Sequence, residues 1–296
     1  LGEQGWEWDE AAIRHFVGRG NVVDLLAARI AHLPAGACEL LEFMSCLGNA
    51  VECKLLRTAT GLNDEDLRER LRAPLEDGLL VAYQTGGQDS VQFRHDRVQQ
   101  VVLATMDDVT RGQRQLGMAR RLANAPGFED EAAQQYLACV SLLQAQNESE
   151  EQRRAAQLFY GLAQKLAGRA IYLLAERYLA AAHALLTAAD DPGDAARLGA
   201  IEVDRHAALY SLGRLDESDR LYEAMQARIT DPVDRVEPAC LQIRSLFMRA
   251  QMTEAMELGL RLLEQLGLDV PAGHPALDTE RRLDALGVWI RQESRP

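Results

Sequence analysis

Aromatic residues are scarce in this chain of 296 residues: Phe, Trp and Tyr make up 5% of the sequence, whereas hydrophobic residues as a whole make up 47%. Ala and Leu dominate the apolar set. A core of small and aliphatic side chains suits helix-on-helix packing better than a β-sandwich. There is ample material for a buried core, and the length predicts about two domains.

Long apolar runs and basic patches are also missing. No stretch approaches the ~18 consecutive apolar residues that a membrane-spanning helix needs, and no signal peptide opens the chain. The net charge of −13 repels phosphate backbones and anionic membranes. We therefore expect neither nucleic acid nor a membrane among the partners. The first residue is Leu1 rather than Met, so we expect the chain to belong to a longer protein.

Paired cysteines and a phosphate-binding loop are the remaining absences. The cysteines are odd in number and lie on predicted apolar helix faces: Cys38, Cys46, Cys53, Cys139 and Cys240. This pattern indicates reduced thiols in a cytoplasmic protein, without zinc-ligand spacing. No G-x-x-x-x-G-K-S/T loop occurs. We expect the chain alone to be no enzyme and to hold no metal and no cofactor.

Helical patterns fill the first third of the chain. Apolar residues spaced by three and four predict a helix after Asn21 and another that Gly48 ends. A shorter helix ends at Gly61, and Asn63 begins a third one that Pro74 should kink or end.

A β-hairpin follows these helices. Leu79, Val81 and Tyr83 alternate with smaller or polar residues, a turn covers residues 85–89, and Val91 and Phe93 alternate again. Three helices followed by a two-stranded wing is the order of a winged-helix domain, here residues 34–107. Between Asn63 and Gly78 the third helix carries six acidic and three basic residues, so it should repel DNA.

The most informative stretch is the junction between that hairpin and the next helix. Asp96 stands where a helix N-cap belongs, with Gln99 in capping-box register. His95 continues the strand face of Val91 and Phe93. From these residues alone, Asp96 caps the helix, worth about 1 kcal/mol, and His95 is an ordinary core histidine.

The remainder of the chain reads as helices joined by short loops. Predicted helices cover residues 109–124, 128–145, 149–166, 169–187, 194–212, 215–229, 233–250, 253–266 and 276–291. Ser149 and Gln152 form a predicted capping box. His206 is expected to be a surface or core helix residue rather than a phosphoacceptor.

Internal similarity relates the positions of Ala175, Ser218 and Ala255, which are offset by about 43 and 37 residues, close to the ~34-residue tetratricopeptide period. The prediction is therefore a mainly all-α fold: a winged-helix domain with a small β-hairpin wing, then a tetratricopeptide-like α-solenoid at 108–296. The arm either binds a protein or peptide on a concave face or serves as a spacer.

Four strings in this sequence resemble a family: residues 6–9 (WEWD), 21–26 (NVVDLL), 46–49 (CLGN) and 93–100 (FRHDRVQQ). In that order they are similar to the region just after the ATPase core in large bacterial signalling proteins. Those proteins join a serine/threonine-kinase-like domain, a STAND-type ATPase, a helical repeat region and often a sensor histidine kinase. The resemblance implies that residues 1–33 are a helical segment from the end of a missing ATPase core.

The same resemblance implies a role for the junction. His95 would contact the phosphate of ADP bound by the ATPase core of the same parent chain, and Asp96 would orient it as a helix cap. ATP or ADP would thus be a ligand of the parent and not of this chain. The implied function is a non-catalytic regulatory segment that couples nucleotide state to the repeat arm. The alternatives are a transcriptional regulator with a DNA-contacting winged helix, and a fragment of an ATPase or kinase active only with its missing domains.

Overall fold

A small antiparallel sheet and a series of helices make up the computed structural model, which describes residues 22–146, 148–189, 191–229, 231–268 and 282–286. The predictions for residues 6–9 and for most of 276–291 lie outside these ranges. The described residues form two compact units. The first runs to Lys165 and includes Ala180–Asp191; the second comprises Leu166–Leu179 and the described residues from Pro192 onward.

The helices, in chain order, are α1 (Val22–Ala31), α2 (Ala35–Leu47), α3 (Cys53–Thr60), α4 (Asp64–Glu76), α5 (Asp96–Thr105), α6 (Asp108–Ala123), α7 (Glu129–Ala138), α8 (Val140–Gln146), α9 (Ser149–Ala167), α10 (Tyr172–Ala189), α11 (Ala195–Ser211), α12 (Leu215–Gln226), α13 (Val236–Met248) and α14 (Met252–Gln265). A 3-10 turn at Pro192–Asp194 precedes α11. The strands are β1 (Ala50–Glu52), β2 (Leu80–Thr85) and β3 (Gln88–Phe93).

Helices α2, α3 and α4 with the three strands form the winged helix. Strands β2 and β3 pair antiparallel with Leu80 opposite Phe93, and Gly86 and Gly87 form the turn between them at positive φ. The hairpin prediction is confirmed. The sheet also contains β1, which pairs with the other edge of β3, Ala50 opposite Gln92, giving the order β1-β3-β2. The sequence analysis missed this strand.

Two local predictions for α4 have different outcomes. The Asn63 carboxamide oxygen accepts hydrogen bonds from the Glu65 and Asp66 amides at 3.0 and 2.9 Å, so the cap is confirmed. Pro74, however, does not end the helix, which continues to Glu76. Pro74 lies in the last turn and is buried, where its missing N–H removes only one bond near the helix end.

The core of the winged helix is aliphatic. Leu40, Leu41 and Met44 of α2 and Leu56 of α3 have no exposed surface, and Phe93 of β3 is buried against them. The same cluster takes in Leu26 and Ile30 of α1 and Val98, Val101 and Val102 of α5. Because α1 and α5 share this core with β3, the start of α5 is held in a fixed position at the edge of the domain.

The first compact unit continues beyond residue 107. Met118 and Leu122 of α6 are buried against Ala59 of α3 and Ala132 of α7. A compact unit can contain more than one domain, so the boundaries 1–33, 34–107 and 108–296 stay predictions. The predicted helix 128–145 is wrong in one respect: it is two helices that break at Cys139.

The second unit contains a repeated helix-ending turn. Gly213 follows α11 at φ 71° and Ala250 follows α13 at φ 61°. In both turns the left-handed residue donates to the carbonyl three positions back, and the next residue donates to the carbonyl five back, at 3.0 Å each. Ala170 has the same geometry, with bonds of 2.9 and 3.0 Å. These are Schellman-type endings.

The turns recur with the spacing read from the sequence. Ala175, Ser218 and Ala255 each lie five positions after one of these turns, and all three are buried. Helix α11 packs against α12, and α13 against α14, as antiparallel hairpins. The fold-class prediction is confirmed: the chain is mainly α, with a small β-hairpin wing and tetratricopeptide-like hairpins.

Candidate functional site

The junction between β3 and α5 is fixed by backbone bonds on both sides. The Phe93 amide donates to Asn49 O and the Arg94 amide to Leu79 O, both at 2.9 Å. The strand ends at Phe93, and α5 begins at Asp96 with His95 as its N-cap residue, in extended conformation. His95 therefore stands between a strand anchored at both edges and a helix anchored in the core.

The capping prediction for Asp96 is wrong. The cap position is one residue earlier, at His95, whose side chain makes no capping hydrogen bond. Gln99 does not reach back to the cap either, because its Nε2 donates to the Ser45 carbonyl of α2 at 3.0 Å. The expected box thus fails because a tertiary acceptor competes for its glutamine. Asp96 is an exposed residue in the first turn of α5.

The expectation of a core histidine at position 95 is also wrong. His95 is exposed, whereas Val91 and Phe93 on the same strand are buried. The alternation of buried and exposed side chains stops at Phe93 because the chain leaves the sheet there. His95 is already the N-cap residue of α5. What the resemblance implies for His95, a contact with nucleotide phosphate, stays a prediction.

An open concavity of about 510 Å³ surrounds the junction, lined by Leu26, Arg94, His95, Asp96 and Arg97. Two guanidinium groups and one carboxylate give it a formal charge of +1 with a neutral imidazole. The N-terminus of α5 adds its partial positive charge. Within a chain of net charge −13, this lining favours a small anion.

Sequence reasoning missed the arginines and Leu26. Arg94 and Arg97 flank His95 at −1 and +2, which could have been recognised as basic residues around a helix start. Gly78, which adopts φ 68°, lies beside Arg94: a Cβ built there would be at ordinary contact distance, 3.6 Å, from the Arg94 Nε. Leu26 comes from α1, so only the tertiary structure brings it to the site.

His206 of the repeat arm is not at the surface. It has no exposed area, its Nε2 contacts Gln242 Oε1 at 3.2 Å, and its ring stacks on Tyr222 with centroids 5.6 Å apart. Burial lowers the pKa of the imidazole, against the opposing effects of Gln242 and Asp219. A phosphoacceptor must be accessible, so this residue has a core role.

Four of the thiols, those of Cys38, Cys46, Cys53 and Cys139, are not activated. All five cysteines are free. Burial raises the pKa of Cys38, Cys46 and Cys53, and it raises that of Cys139 to about 12. A thiol with a raised pKa is protonated at neutral pH and is a poor nucleophile.

Metal-ligand clusters and membrane-spanning helices are both absent from the described ranges. There, no group of three or more His, Cys, Asp or Glu residues is placed to hold a metal ion. None of the helices in those ranges is long and apolar enough to cross a membrane.

No protein-family model matches the chain, and no curated protein matches it either. Among solved structures it is similar to the crystal structure of a Signal Transduction ATPase with Numerous Domains (STAND) protein with a tetratricopeptide repeat sensor from Pyrococcus horikoshii, with a TM-score of 0.33 and 15% identity. The match covers 80% of this chain and spans 39% of that one.

Proposed function

We propose that this chain is a non-catalytic regulatory and protein-interaction segment of a multidomain signal-transduction ATPase. In this function the junction before α5 senses the nucleotide held by an ATPase core of the same parent chain. The observation that carries the proposal is the exposed concavity in which Arg94, His95 and Arg97 meet the N-terminus of α5.

The chemistry of the concavity supports a phosphate contact. Helix N-termini present N–H groups and positive potential to anions, and the side chain of the cap residue His95 occupies none of the N–H groups of α5. Arginine forms strong charge-assisted bonds to phosphate oxygens, and an imidazole can donate a hydrogen bond as well. In this proposal Asp96 is not the orienting cap. Its carboxylate reduces the positive charge of the residues that line the concavity.

The chain supplies only half of such a site. Its sequence has no glycine-rich phosphate loop with a lysine. A productive nucleotide site would therefore need the loop, the lysine and the magnesium ligands of another domain. This division is the reason for assigning the chain a sensing role without catalysis, in a cytoplasmic parent that carries the ATPase and, by the family resemblance, kinase-like domains.

The fold offers a route from the site to the rest of the chain. Val98, Val101 and Val102 of α5 lie in the same core as Leu26 of α1, which also lines the concavity. A contact with His95 therefore acts at the start of α5, a helix that is packed in this core. The tetratricopeptide-like hairpins would be the partner-binding part, with a protein or peptide as ligand.

The test is the rate of ADP release from the parent protein. Losing one charge-assisted hydrogen bond costs about 1.5–3 kcal/mol, so His95→Ala and Arg97→Gln should each accelerate release roughly 10-fold or more. Arg72→Gln is the matched control, because Arg72 is an exposed arginine whose closest carboxylate is that of Glu76 on its own helix, 3.6 Å away. Unchanged release in both site variants would refute the proposal.

A further inference from the structure

Strand β2 forms an open edge of the small sheet. In the order β1-β3-β2 it pairs with β3 on one side, and within the described residues no strand pairs with its other side. An unpaired strand edge presents N–H and C=O groups that can pair with another strand. The opposite edge, β1, has only three residues, whereas β2 has six. The sheet therefore has one edge that is long enough to accept a further strand.

The backbone bonds at the start of β2 set the direction of its peptide groups. The Arg94 amide donates to Leu79 O, so Leu79 faces β3. The Phe93 amide donates instead to Asn49 O, on the β1 side, so Phe93 does not bond to Leu80, its partner in the register. The peptide groups of Leu80 therefore point to the open edge.

This alternation continues along the strand. In an antiparallel ladder every second residue bonds to the same neighbour, so Val81 and Tyr83 bond to β3. Ala82 and Gln84 point outward. Leu80 is only 1% exposed, whereas Ala82 and Gln84 are both exposed. Among the described residues no hydrogen bond reaches the outward groups of these two, so they are the usable part of the edge.

The side chains of β2 do not protect this edge. Natural edge strands are usually blocked by charged residues, proline or a bulge. Residues 80–85 (LVAYQT) include no charged residue and no proline, and their register with β3 is regular. The carboxylate of Asp89, opposite Gln84 on β3, accepts a hydrogen bond from Gln84 Nε2 at 2.9 Å. A second uncharged strand can therefore approach β2 without meeting a like charge on it.

A second copy of β2 fits this edge in one register. Around a two-fold axis, Ala82 of each copy lies opposite Gln84 of the other, both pairs exchange their main-chain bonds, and Tyr83 lies opposite itself. The buried end at Leu80 then lies opposite Gly86, a turn residue without a side chain. A register shifted by two residues would pair Ala82 or Gln84 with itself and leave the other opposite buried Leu80 or the turn.

The side chains at the axis favour the same pairing. Directly opposed residues that exchange no hydrogen bond have Cα atoms about 4.5 Å apart, so their side chains touch. Aromatic pairs at such positions stabilise sheets. Tyr83 is half-buried in the single chain, and the second ring would cover its remaining exposed part.

We propose that β2 is a self-association edge, through which two copies of the chain join antiparallel at Ala82, Tyr83 and Gln84 into one continuous sheet. The contact is small beside the roughly 1,200–2,000 Å² of a stable interface, so the isolated chain forms a weak dimer. Copies that each carry a net charge of −13 repel one another, and salt screens this repulsion. The association therefore strengthens as salt rises, opposite to a contact made by ion pairs.

Sedimentation velocity of the full chain, up to roughly 1 mM protein, measures the association. Wild type should shift from monomer toward dimer as protein and salt concentrations rise. Ala82→Pro should stay monomeric, because proline removes an outward N–H and its ring blocks the second strand. Edge positions of this kind tolerate proline, and urea unfolding verifies that the variant is folded. Ala82→Ser keeps the N–H and is the matched control, which should dimerise like wild type.

A cysteine cross-link tests the register independently of the proline variant. A Cys240→Ser background removes the exposed native thiol. In it, Tyr83→Cys places two thiols opposite each other at a Cα separation that a disulfide can bridge, so mild oxidation should give a covalent dimer. Gln84→Cys is the matched control. It should cross-link at least tenfold more slowly, because residue 84 lies opposite residue 82 of the other copy.

Three outcomes would overturn the proposal. Wild type that stays monomeric at every protein and salt concentration would show that the edge does not self-associate. A dimer that persists in folded Ala82→Pro would assign the association to another surface. Equal cross-linking rates for Tyr83→Cys and Gln84→Cys would indicate random collisions without a register.

Discussion

Tyr136 donates its hydroxyl hydrogen to Glu151 Oε1 across 2.9 Å, linking α7 to the first turn of α9. Arg120 holds the same carboxylate with two bonds of 2.8 and 2.7 Å. Burial raises the pKa of the Tyr136 phenol, so it remains a donor. The Arg120 hydrogen bonds lower the pKa of Glu151, with the Tyr136 bond contributing.

Tyr136→Phe should therefore destabilise the protein in a pH-dependent way. Loss of one hydrogen bond to a charged group should lower the free energy of unfolding by about 1.5–3 kcal/mol at neutral pH. Because the folded-state pKa of Glu151 is depressed, its stabilisation is present above the unfolded pKa and is lost as the pH falls through the folded pKa. The difference between wild type and variant should shrink in that acidic range.

Urea unfolding from pH 7 down to pH 3 measures this difference. Tyr83→Phe is the control, because the Tyr83 hydroxyl forms no hydrogen bond within the described residues, and its effect should be small at every pH. A Tyr136→Phe effect that is the same at all pH values would argue against the charged hydrogen bond.

Buried His206 predicts a second pH dependence, nearer neutrality. Its folded-state pKa lies below the ordinary 6.5 because burial disfavours the imidazolium. Below pH 6.5 the unfolded chain takes up a proton that the folded chain does not, so stability should fall by up to about 1.4 kcal/mol per pH unit. His206→Gln should flatten this slope between pH 6.5 and 5, and Tyr83→Phe, which leaves every imidazole in place, should keep it. A wild-type slope that survives in His206→Gln would show that another group is responsible.

The repeated turns predict opposite effects for opposite substitutions. Ala250 adopts a left-handed conformation that costs an L-residue about 1–2 kcal/mol. After the greater unfolded-chain entropy of glycine is subtracted, Ala250→Gly should raise the free energy of unfolding by about 0.5–1 kcal/mol. Gly213→Ala should lower it by a similar amount.

Thermal and urea unfolding of both variants test this sign reversal. Ala184→Gly serves as the control: Ala184 is exposed in the interior of α10, where glycine should cost about 1 kcal/mol. Destabilisation by Ala250→Gly equal to that of the control would contradict the argument from backbone conformation.

The acidic third helix of the winged helix predicts an absence of DNA binding. Asp64, Glu65 and Asp66 lie in the first turn of α4 and are exposed, where a recognition helix meets phosphates. We expect no mobility shift of a duplex of roughly 20 base pairs at physiological salt. A shift that weakens as salt rises would instead favour the transcriptional regulator.

Local signals in the sequence were sufficient for most helices. The stripe in α2 and the Asn63 cap depend on neighbours three or four positions away, so the sequence contains what decides them. Strand β1 is different, because Val51 pairs with Val91 forty positions later. A strand of three residues is too short to show a detectable alternation of apolar and polar side chains. Only its pairing with β3 makes it a strand.

The same distinction applies to the candidate site. Gln99 and Gln152 were both assigned to capping boxes from spacing, yet both donate to distant carbonyls, Ser45 O and Leu143 O. His95 was predicted to be buried because the strand alternation includes it. A window of five residues shows neither which distant carbonyl accepts a hydrogen bond from a glutamine nor where a sheet ends. Both predictions failed for this reason.

The turns at Gly213 and Ala250 also define where the chain can be lengthened. Each begins a helix in the same backbone geometry, so residues 214–250 form a module whose two ends are interchangeable. A tandem duplication of that module would join without a new loop and insert one further hairpin. Extension of the arm in the laboratory by copies of this module would then proceed in steps of 37 residues, the distance from Gly213 to Ala250.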